Sequence, residues 1–301
     1  MNQRISLLTS VGVALSLTSI SCGLEPEEEK IPFGYDRDFD YLSVLKSSPE
    51  YAFEPTHGYP NLTYQDPAND SLIELRTAYD LETVAGAGDD LSKILNLLRW
   101  AHQSLRHDGG RVGPGQENSL SILQYHDEVG NGVNCVMMAI VLNEAYLATG
   151  LKSRVIHGNS RDWVFNGEWH AFNAVYSYTL NKWVFIDPTY QAYFTNDSGT
   201  PLSVAEIREF LRRDIPLHLN DDADYNGSPL DAGDYVHYLS KNVYRFSSTV
   251  HSAFGNYWMF HLPEGANRAY FHLDPANQAQ QGLGAATNYF TSNPDYFWKR
   301  P

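Results

Sequence analysis

Cysteine and positive charge are both scarce in this chain of 301 residues. Its 21 lysine and arginine side chains are outnumbered by 36 aspartate and glutamate side chains, which gives a formal net charge of −15. A chain this acidic lacks the basic surface that binds nucleic acid, so we expect no nucleic-acid partner. The sequence also has no paired-cysteine motif and no His-Glu-x-x-His motif, so we expect neither a metal nor another cofactor.

The apolar run at the start of the chain is too short to span a membrane. It extends from Ile5 to Ile20, is diluted by serine and threonine, and follows one basic residue, Arg4. These features are typical of an export signal that is removed from the mature protein. We therefore predict that residues 1–21 are a signal peptide.

The leader ends in Ser19-Ile20-Ser21-Cys22, which resembles the lipobox of bacterial lipoproteins, with Ser19 where leucine is usual. The resemblance implies that Cys22 is acylated and anchors an exported protein in the outer membrane of the cell envelope. The acidic tether at 22–31 resembles the export tether of surface-displayed lipoproteins, although a solvated linker explains it equally well. A plain cleaved signal that discards Cys22 is the alternative to lipidation.

Only Cys135 is then left as a thiol for the folded part of the chain. Export normally favours disulfides, but in the lipidated form Cys22 is acylated and no internal disulfide is possible. A lone thiol in an oxidising compartment is either a small buried hydrophobe or a nucleophile. The residues around Cys135 favour the nucleophile.

The remaining composition is that of a globular protein. Hydrophobic residues make up 43% of the chain and aromatic residues 13%, enough for one large core or two modest ones. We predict a turn-rich wrapping segment over 32–89, a core over 90–195 where the periodic patterns are clearest, and an extension packed on that core over 196–301. We find no internal repeat and no low-complexity tract.

The apolar spacing predicts the elements of this core. A helix should begin at Asp89 or Asp90 and end at Gly109-Gly110, and an amphipathic helix should run from Cys135 to Thr149 with Gly150 as its C-cap. The other predicted elements are a helix over 119–125, strands over 153–157, 170–178 and 182–186, a helix with a capping box at Ser203 and Glu206, and further strands or a helix with strands over 235–246, 257–262 and 269–273.

A cysteine that begins a helix is activated by its position. The backbone N–H groups of the first turn point outward and the helix dipole favours negative charge, so the thiolate form of Cys135 is stabilised. The same free N–H groups, including that of Cys135, could hold an oxyanion when a thiolate attacks an amide carbonyl.

His170 begins one predicted strand and Asp187 ends the next, so the two belong to one hairpin. In a hairpin with an even-numbered loop, their spacing places both side chains on the same face. A loop centred near Tyr178 would set them directly opposite, whereas one centred near Leu180 would offset them by about four residues and require a bulge. Same-face placement lets a carboxylate orient an imidazole whose other nitrogen meets the thiol.

Four segments together resemble the transglutaminase-like superfamily. They are Gly132-x-Asn134-Cys135 with its helix, Leu151-x-Ser153-Arg154-Val155, Trp169-His170-Ala171-Phe172, and Trp183-Val184-x-x-Asp187-Pro188-Thr189. The resemblance implies an α+β fold of the cysteine-proteinase type, with the catalytic cysteine at a helix N-terminus packed on an antiparallel sheet. It also implies Cys135 as nucleophile, His170 as general base and acid, and Asp187 as the residue that orients His170. Phe172 departs from the tryptophan frequent in the family, which leaves the three catalytic positions intact.

The residue that completes an oxyanion hole or lines the cleft is not marked by any motif. The candidates are Trp100, Gln124, Tyr125, Asn134 and Trp169. We interpret His102, His107 and His126 as surface or boundary residues. The acidic cluster at 221–234 is rich in possible calcium ligands, but its spacing matches no EF-hand loop.

The sequence therefore predicts a cell-envelope cysteine enzyme that acts on an amide of a peptide or protein. Hydrolysis through a thioester is the leading hypothesis, because no amine-acceptor site is marked. The family also contains protein-crosslinking transglutaminases and inactive relatives, so the fold alone does not decide the reaction. Crosslinking and a catalytically inactive, surface-anchored binding module remain the two alternatives.

Overall fold

The computed structural model describes residues 35–53, 58–111, 113–114, 116–130, 132–163, 167, 169–257, 269–277 and 288–301. The helices are α1 (Tyr41–Lys46), α2 (Asp70–Ala78), α3 (Leu81–Ala85), α4 (Asp90–Ser104), α5 (Ser119–Val129), α6 (Cys135–Ala148), α7 (Val204–Arg212), α8 (Ala232–Asn242) and α9 (Pro294–Phe297). The strands are β1 (Thr63–Tyr64), β2 (Ser153–Asn159), β3 (Trp169–Ser177), β4 (Lys182–Ile186), β5 (Phe194–Thr195), β6 (His218–Leu219), β7 (Asp224–Tyr225), β8 (Ser228–Pro229), β9 (Arg245–Thr249), β10 (His251–Ser252), β11 (Tyr270–Leu273) and β12 (Asn288–Thr291).

Some predictions fall outside these residues. The signal peptide, Cys22 and the acidic tether all precede the described part of the chain, and most of the strand predicted over 257–262 lies outside it as well. Among the described helices, none is both long and apolar enough to cross a membrane.

Helix α6 is the centre of the hydrophobic core. Asn134 caps its start, and Thr149, followed by Gly150, ends it. Every residue from Val136 to Ala148 is buried, so the predicted amphipathic pattern is wrong. The reason is that α6 packs against β2 and β3 on one side and against α2, α4 and α5 on the others. A helix surrounded in this way is apolar on all faces.

The sheet that supports α6 has six strands in the order β12-β11-β9-β2-β3-β4. All neighbouring pairs are antiparallel except β11 and β12. Strands β9, β11 and β12 therefore extend the sheet beside β2, and the segment after residue 195 contributes to the same sheet as the predicted core. The N-terminal segment is tied in too, because β1 pairs with β10. The result is an α+β fold with helices packed on a mainly antiparallel sheet.

The hairpin of β3 and β4 fixes the positions of the predicted triad residues. Asn173 pairs with Ile186 and Ser177 pairs with Lys182, around a loop of residues 178–181. Continuing this register by one residue sets Asp187 opposite Phe172, two residues from His170 on the same face. The loop is centred between Thr179 and Leu180, which lies between the two loop centres considered from sequence, near Tyr178 and near Leu180. No bulge is needed to bring the two side chains together.

Helix α4 begins as predicted and ends earlier. The Asp89 side chain caps its first turn by accepting from the backbone N–H of Ser92 at 2.8 Å. The adjacent Asp90 carboxylate accepts from the backbone of the β3–β4 loop, at Tyr178 and Thr179, and so ties α4 to the hairpin. The helix ends at Ser104, not at Gly109-Gly110, because the chain becomes extended from Leu105 onward.

The region after residue 195 follows the predicted pattern in part. The capping box of Ser203 and Glu206 is present at the start of α7. The segment predicted as strands or a helix with strands over 235–246 is α8 followed by the start of β9, and the strand predicted over 269–273 is β11.

Candidate active site

Cys135 is the first residue of α6, and the residue is partly exposed. Asn134 holds the helix start in place: its side-chain oxygen accepts from the N–H of Met137 at 3.1 Å, and its amide donates to the carbonyl of Arg111 at 2.9 Å. The N–H of Cys135 belongs to the first turn and therefore has no carbonyl to bond within the helix. Sulfur and a free backbone donor thus come from the same residue.

His170 and Asp187 form a buried pair beside this cysteine. Nε2 of His170 lies 2.7 Å from Oδ2 of Asp187, and the two residues are 1% and 0% exposed. The carboxylate has further donors, because the Tyr235 hydroxyl donates to Oδ2 at 2.6 Å and the N–H of Thr189 donates to Oδ1 at 2.9 Å. Asp187 is therefore fixed as an acceptor, and Nδ1 is the nitrogen of His170 that remains for the sulfur.

The charges and hydrogen bonds around Cys135 favour an ionised thiol. Burial raises the pKa of Cys135, but the imidazoles of His107 and His170 outweigh it and lower this pKa to about 6. Burial lowers the pKa of His170, but the charge and hydrogen bond of Asp187, together with the Cys135 sulfur, raise it to about 10. At neutral pH the site therefore favours a thiolate beside an imidazolium, the reactive state of a nucleophilic cysteine.

A second histidine stands beside the thiol, and it was not expected there. The segment containing His107 lies parallel to the chain just before α6, since Asp108 N–H donates to the carbonyl of Val133 and Val133 N–H donates to the carbonyl of Arg106, both at 2.8 Å. Gly132 makes this approach possible: a Cβ at that position would lie 2.7 Å from Cβ of Asp108. His107 is consequently held beside Val133, which lies two residues before Cys135 in the chain.

The ring of His107 is buried and held from one side. Its backbone N–H donates to the side-chain oxygen of Asn226 at 2.8 Å, and its carbonyl accepts from the amide of Asn226 at 3.1 Å. Nδ1 is hydrogen-bonded to the Tyr225 hydroxyl at 2.9 Å. Nε2 is buried and has no partner of normal hydrogen-bond geometry among the described residues, although the ring is near enough to lower the pKa of Cys135.

A short hairpin supplies these contacts. Strands β7 and β8 are joined by Asn226-Gly227, both in the left-handed region with φ of 52° and 88°, as an Asn-Gly hairpin turn requires. Asp224 of the same hairpin lies 3.0 Å from Nε2 of His102, whose Nδ1 lies 2.9 Å from the carbonyl of Pro188. The acidic stretch at 221–234 thus supplies hydrogen-bond partners to both His102 and His107. Within the described ranges no group of three His, Cys, Asp or Glu side chains could hold a metal ion.

Tyrosine rings surround the two histidines. Tyr190 and Tyr238 lie 5.8 Å and 5.4 Å from the ring of His170, and Tyr190 also lies 5.4 Å from Tyr225. Burial, with smaller contributions from nearby acidic groups, raises the pKa values of Tyr190, Tyr235 and Tyr238 well above their ordinary value. These hydroxyls remain protonated at neutral pH, so Tyr235 acts as a donor to Asp187.

The other candidates from sequence have different surroundings. The ring of Trp100 packs at 5.8 Å on Tyr79, Gln124 is exposed and donates to Glu128 at 2.7 Å, and Tyr125 packs on the hydrophobic core. Trp169 is partly buried and packs at 4.8 Å on His157. Asn134 caps α6, the helix that begins at Cys135.

The interpretation of the upstream histidines as surface or boundary residues was wrong for two of the three. His102 and His107 are 7% and 4% exposed, while His126 is partly exposed. The error followed from the length predicted for α4, which ends before His107 and leaves that residue in an extended segment. The Asn226-Gly227 turn signal was visible in the sequence, but nothing linked it to a residue 119 positions upstream.

Residues 77–188 match the family model of the transglutaminase-like superfamily. This segment belongs to that superfamily. The transglutaminase-like core so defined contains Cys135, His170 and Asp187, and cysteine-dependent acyl transfer is the general chemistry of the superfamily. No curated protein matches the chain.

Among solved structures, the chain is similar to red sea bream transglutaminase. The sequence identity is 13%, the TM-score is 0.32, and the match covers 69% of this chain. The chain covers 38% of that transglutaminase.

Proposed function

We propose that this protein is a cell-envelope enzyme that hydrolyses an amide of a peptide or protein through a thioester on Cys135. The observation that carries the proposal is the line from the thiol through His170 to Asp187, with a 2.7 Å contact between the last two. A lowered pKa of the thiol, to about 6, supplies the thiolate at neutral pH.

The reaction follows from these groups. The sulfur of Cys135 bonds to the carbonyl carbon, and the carbonyl electron pair moves onto oxygen. When this intermediate collapses, the carbon–nitrogen bond breaks and His170 gives its proton to the departing amine. His170 then takes a proton from water, which attacks the thioester and releases a carboxylic acid and the thiolate. Asp187 orients the ring and stabilises its charged form throughout.

Water is the proposed acceptor, and an amine is the alternative. If a substrate lysine replaced water in the second step, the same site would form a crosslink between proteins. No described feature favours an amine-binding pocket, so hydrolysis is the simpler proposal. An inactive binding module would have no need for a buried carboxylate that accepts hydrogen bonds from Tyr235 and Thr189 behind a histidine, because a buried charge is costly.

We also propose that the protein is exported and anchored to the outer membrane through Cys22, as the lipobox resemblance suggests. Metabolic labelling with a palmitate analogue should mark the wild-type protein, whereas Cys22→Ser should be unlabelled and recovered without membranes. Equal labelling of both proteins would contradict the anchor and leave the catalytic proposal untouched.

The catalytic proposal is tested with an activated ester, p-nitrophenyl acetate, because it acylates any competent thiolate. The wild type should release p-nitrophenolate in a burst of one equivalent, followed by slower turnover as water resolves the thioester. The thiolate should also react with iodoacetamide with a midpoint near pH 6, below the ordinary value of 9 for cysteine.

Two matched variants complete this test. Cys135→Ala should show no burst and no alkylation at that residue, while Cys22→Ser should behave like the wild type. A full burst from Cys135→Ala would contradict the proposal. So would a midpoint for alkylation of the wild-type Cys135 at the ordinary cysteine pKa of 9. Adding dansylcadaverine with casein then separates the two acceptors, because crosslinking activity predicts fluorescent casein and hydrolysis predicts none.

A further inference from the structure

The imidazole of His107 lies beside the thiol of Cys135, and its Nε2 has no role in the proposed reaction so far. It does not belong to the Cys135, His170 and Asp187 set, and it comes from an extended segment after α4 instead of the sheet. Its Nε2 is buried without a hydrogen-bond partner of normal geometry among the described residues, although a buried polar nitrogen normally has one. An unpaired buried donor at a reaction centre is costly unless a reacting group pairs with it.

The partner on the other nitrogen determines what Nε2 can do. Nδ1 lies 2.9 Å from the hydroxyl of Tyr225, a neutral group, whereas Nε2 of His170 lies against the Asp187 carboxylate. A carboxylate stabilises an imidazolium and makes a base. Where the tyrosine hydroxyl is the donor to Nδ1, the N–H of the ring lies on Nε2. The ring then offers a fixed N–H donor on the side of the thiol.

We propose that Nε2–H of His107 and the backbone N–H of Cys135 form the oxyanion hole of this site. This inference rests on the proposed function, since an oxyanion forms only if Cys135 attacks a carbonyl. As the sulfur–carbon bond forms, the carbonyl oxygen takes the electron pair and the two donors bond to it. When the carbonyl reforms and the leaving group departs, both donors keep their protons, so His107 transfers none.

The anchoring of His107 fits this role. A donor in an oxyanion hole must be fixed before the charge develops, because reorganising it during the reaction would cost the stabilisation it provides. The ring is held by its bond to Tyr225, its backbone is bonded in both directions by Asn226, and the segment is bridged to the residue two positions before Cys135. The donor and the nucleophile therefore belong to segments that are joined by hydrogen bonds.

The test uses the full-length protein with two reagents that differ only in whether an oxyanion forms. p-Nitrophenyl acetate acylates the thiolate through a charged carbonyl oxygen, whereas iodoacetamide alkylates it by direct displacement at carbon. Both rates are compared on the plateau of each variant's alkylation pH profile, where the thiol is fully ionised. This removes any effect of His107 on the pKa of Cys135.

We expect His107→Ala to slow acylation of the thiolate by at least about 10-fold while alkylation of the same thiolate stays within about 3-fold of wild type. His107→Gln, which keeps a donor near the same place, should recover part of the acylation rate. His218→Ala is the surface control, because it removes an exposed ring that is paired with Asp197. This variant should match the wild type in both reactions.

Tyr225→Phe provides a second route if His107→Ala does not fold. It keeps the aromatic ring but releases Nδ1, so the tautomer is no longer fixed and acylation should slow in the same selective way. Equal slowing of acylation and alkylation, or no slowing of either, in the folded variants would overturn the inference. A wild type without a burst would overturn the proposed function instead, so the two failures are distinguishable.

Discussion

The two histidines beside Cys135 are held by different regions of the molecule, and their partners differ in charge. His170 lies on β3 of the central sheet, where a buried carboxylate 2.7 Å away favours its protonated form. His107 lies in an extended segment between helices, where a neutral tyrosine contacts Nδ1. Two identical side chains at one thiol are thus suited to different tasks: the first exchanges protons, and the second is suited to hold one in place.

The largest effect should come from removing the proton-exchanging side. We expect His170→Ala to lower steady-state release of acetate from p-nitrophenyl acetate by about 10³-fold, because the ring both ionises the thiol and activates water. The midpoint of alkylation should rise from near pH 6 towards the ordinary cysteine value, since the imidazolium that stabilises the thiolate is gone. Stopped-flow acylation and alkylation at several pH values measure both, with His218→Ala as the surface control. If His170→Ala lost less activity than His107→Ala, the assignment of the two roles would be reversed.

A smaller effect is expected when only the partner of His170 changes. Asp187→Asn should lower turnover by about 10²-fold, at the lower end of what acid–base catalysis contributes. The reason is that an amide cannot stabilise the charged ring and can select the wrong tautomer. The pKa of His170 is raised by Asp187, so without the carboxylate the imidazolium should be lost at lower pH and the alkaline limit of activity should move down. A pH–rate profile checks this sign. An alkaline limit that stays in place would mean that Asp187 does not control His170.

The smallest effect should come from the residue that joins the two regions. Asn134 caps α6 and also donates to the carbonyl of Arg111, in the chain that follows His107. Asn134→Ala should cost about 1 kcal/mol of unfolding free energy, measured by urea denaturation, as loss of a helix cap usually does. The matched control is Asn118→Ala, which removes the cap of α5, where the side chain accepts from Ser121 at 3.0 Å.

Both cap variants should lose similar stability, but only Asn134→Ala should slow acylation, by several-fold, because only it loosens the chain on both sides of the thiol. Equal acylation rates in the two variants would separate the geometry of the site from this cap.

The same two regions differ in how far the sequence could predict them. The side of His170 depends on local patterns: a helix with a capping residue, two alternating strands and a short hairpin loop. Strand alternation fixes which face a side chain occupies, so the amino-acid sequence alone could predict that His170 and Asp187 lie together. The observed register lies between the two that their spacing allowed.

The side of His107 depends on contacts between residues far apart in the chain. Tyr225 and Asn226 reach back 118 and 119 positions to bond the histidine. No periodicity links such segments, and the helix predicted to run on to Gly109 hid the extended conformation of His107. The burial of α6 on every side was missed for the same reason, since the elements that cover it are spread over much of the chain.

The hairpin of β7 and β8 also bears on where a working fragment of this protein could be cut. The segment that matches the superfamily ends at residue 188 and includes Cys135, His170 and Asp187. The hairpin that braces His102 and His107, and the Tyr235 hydroxyl that bonds Asp187, all lie beyond that point. A fragment trimmed to the matched residues would keep Cys135, His170 and Asp187 but lose the residues that contact them, so we expect a fragment that carries out the proposed reaction to extend past residue 188.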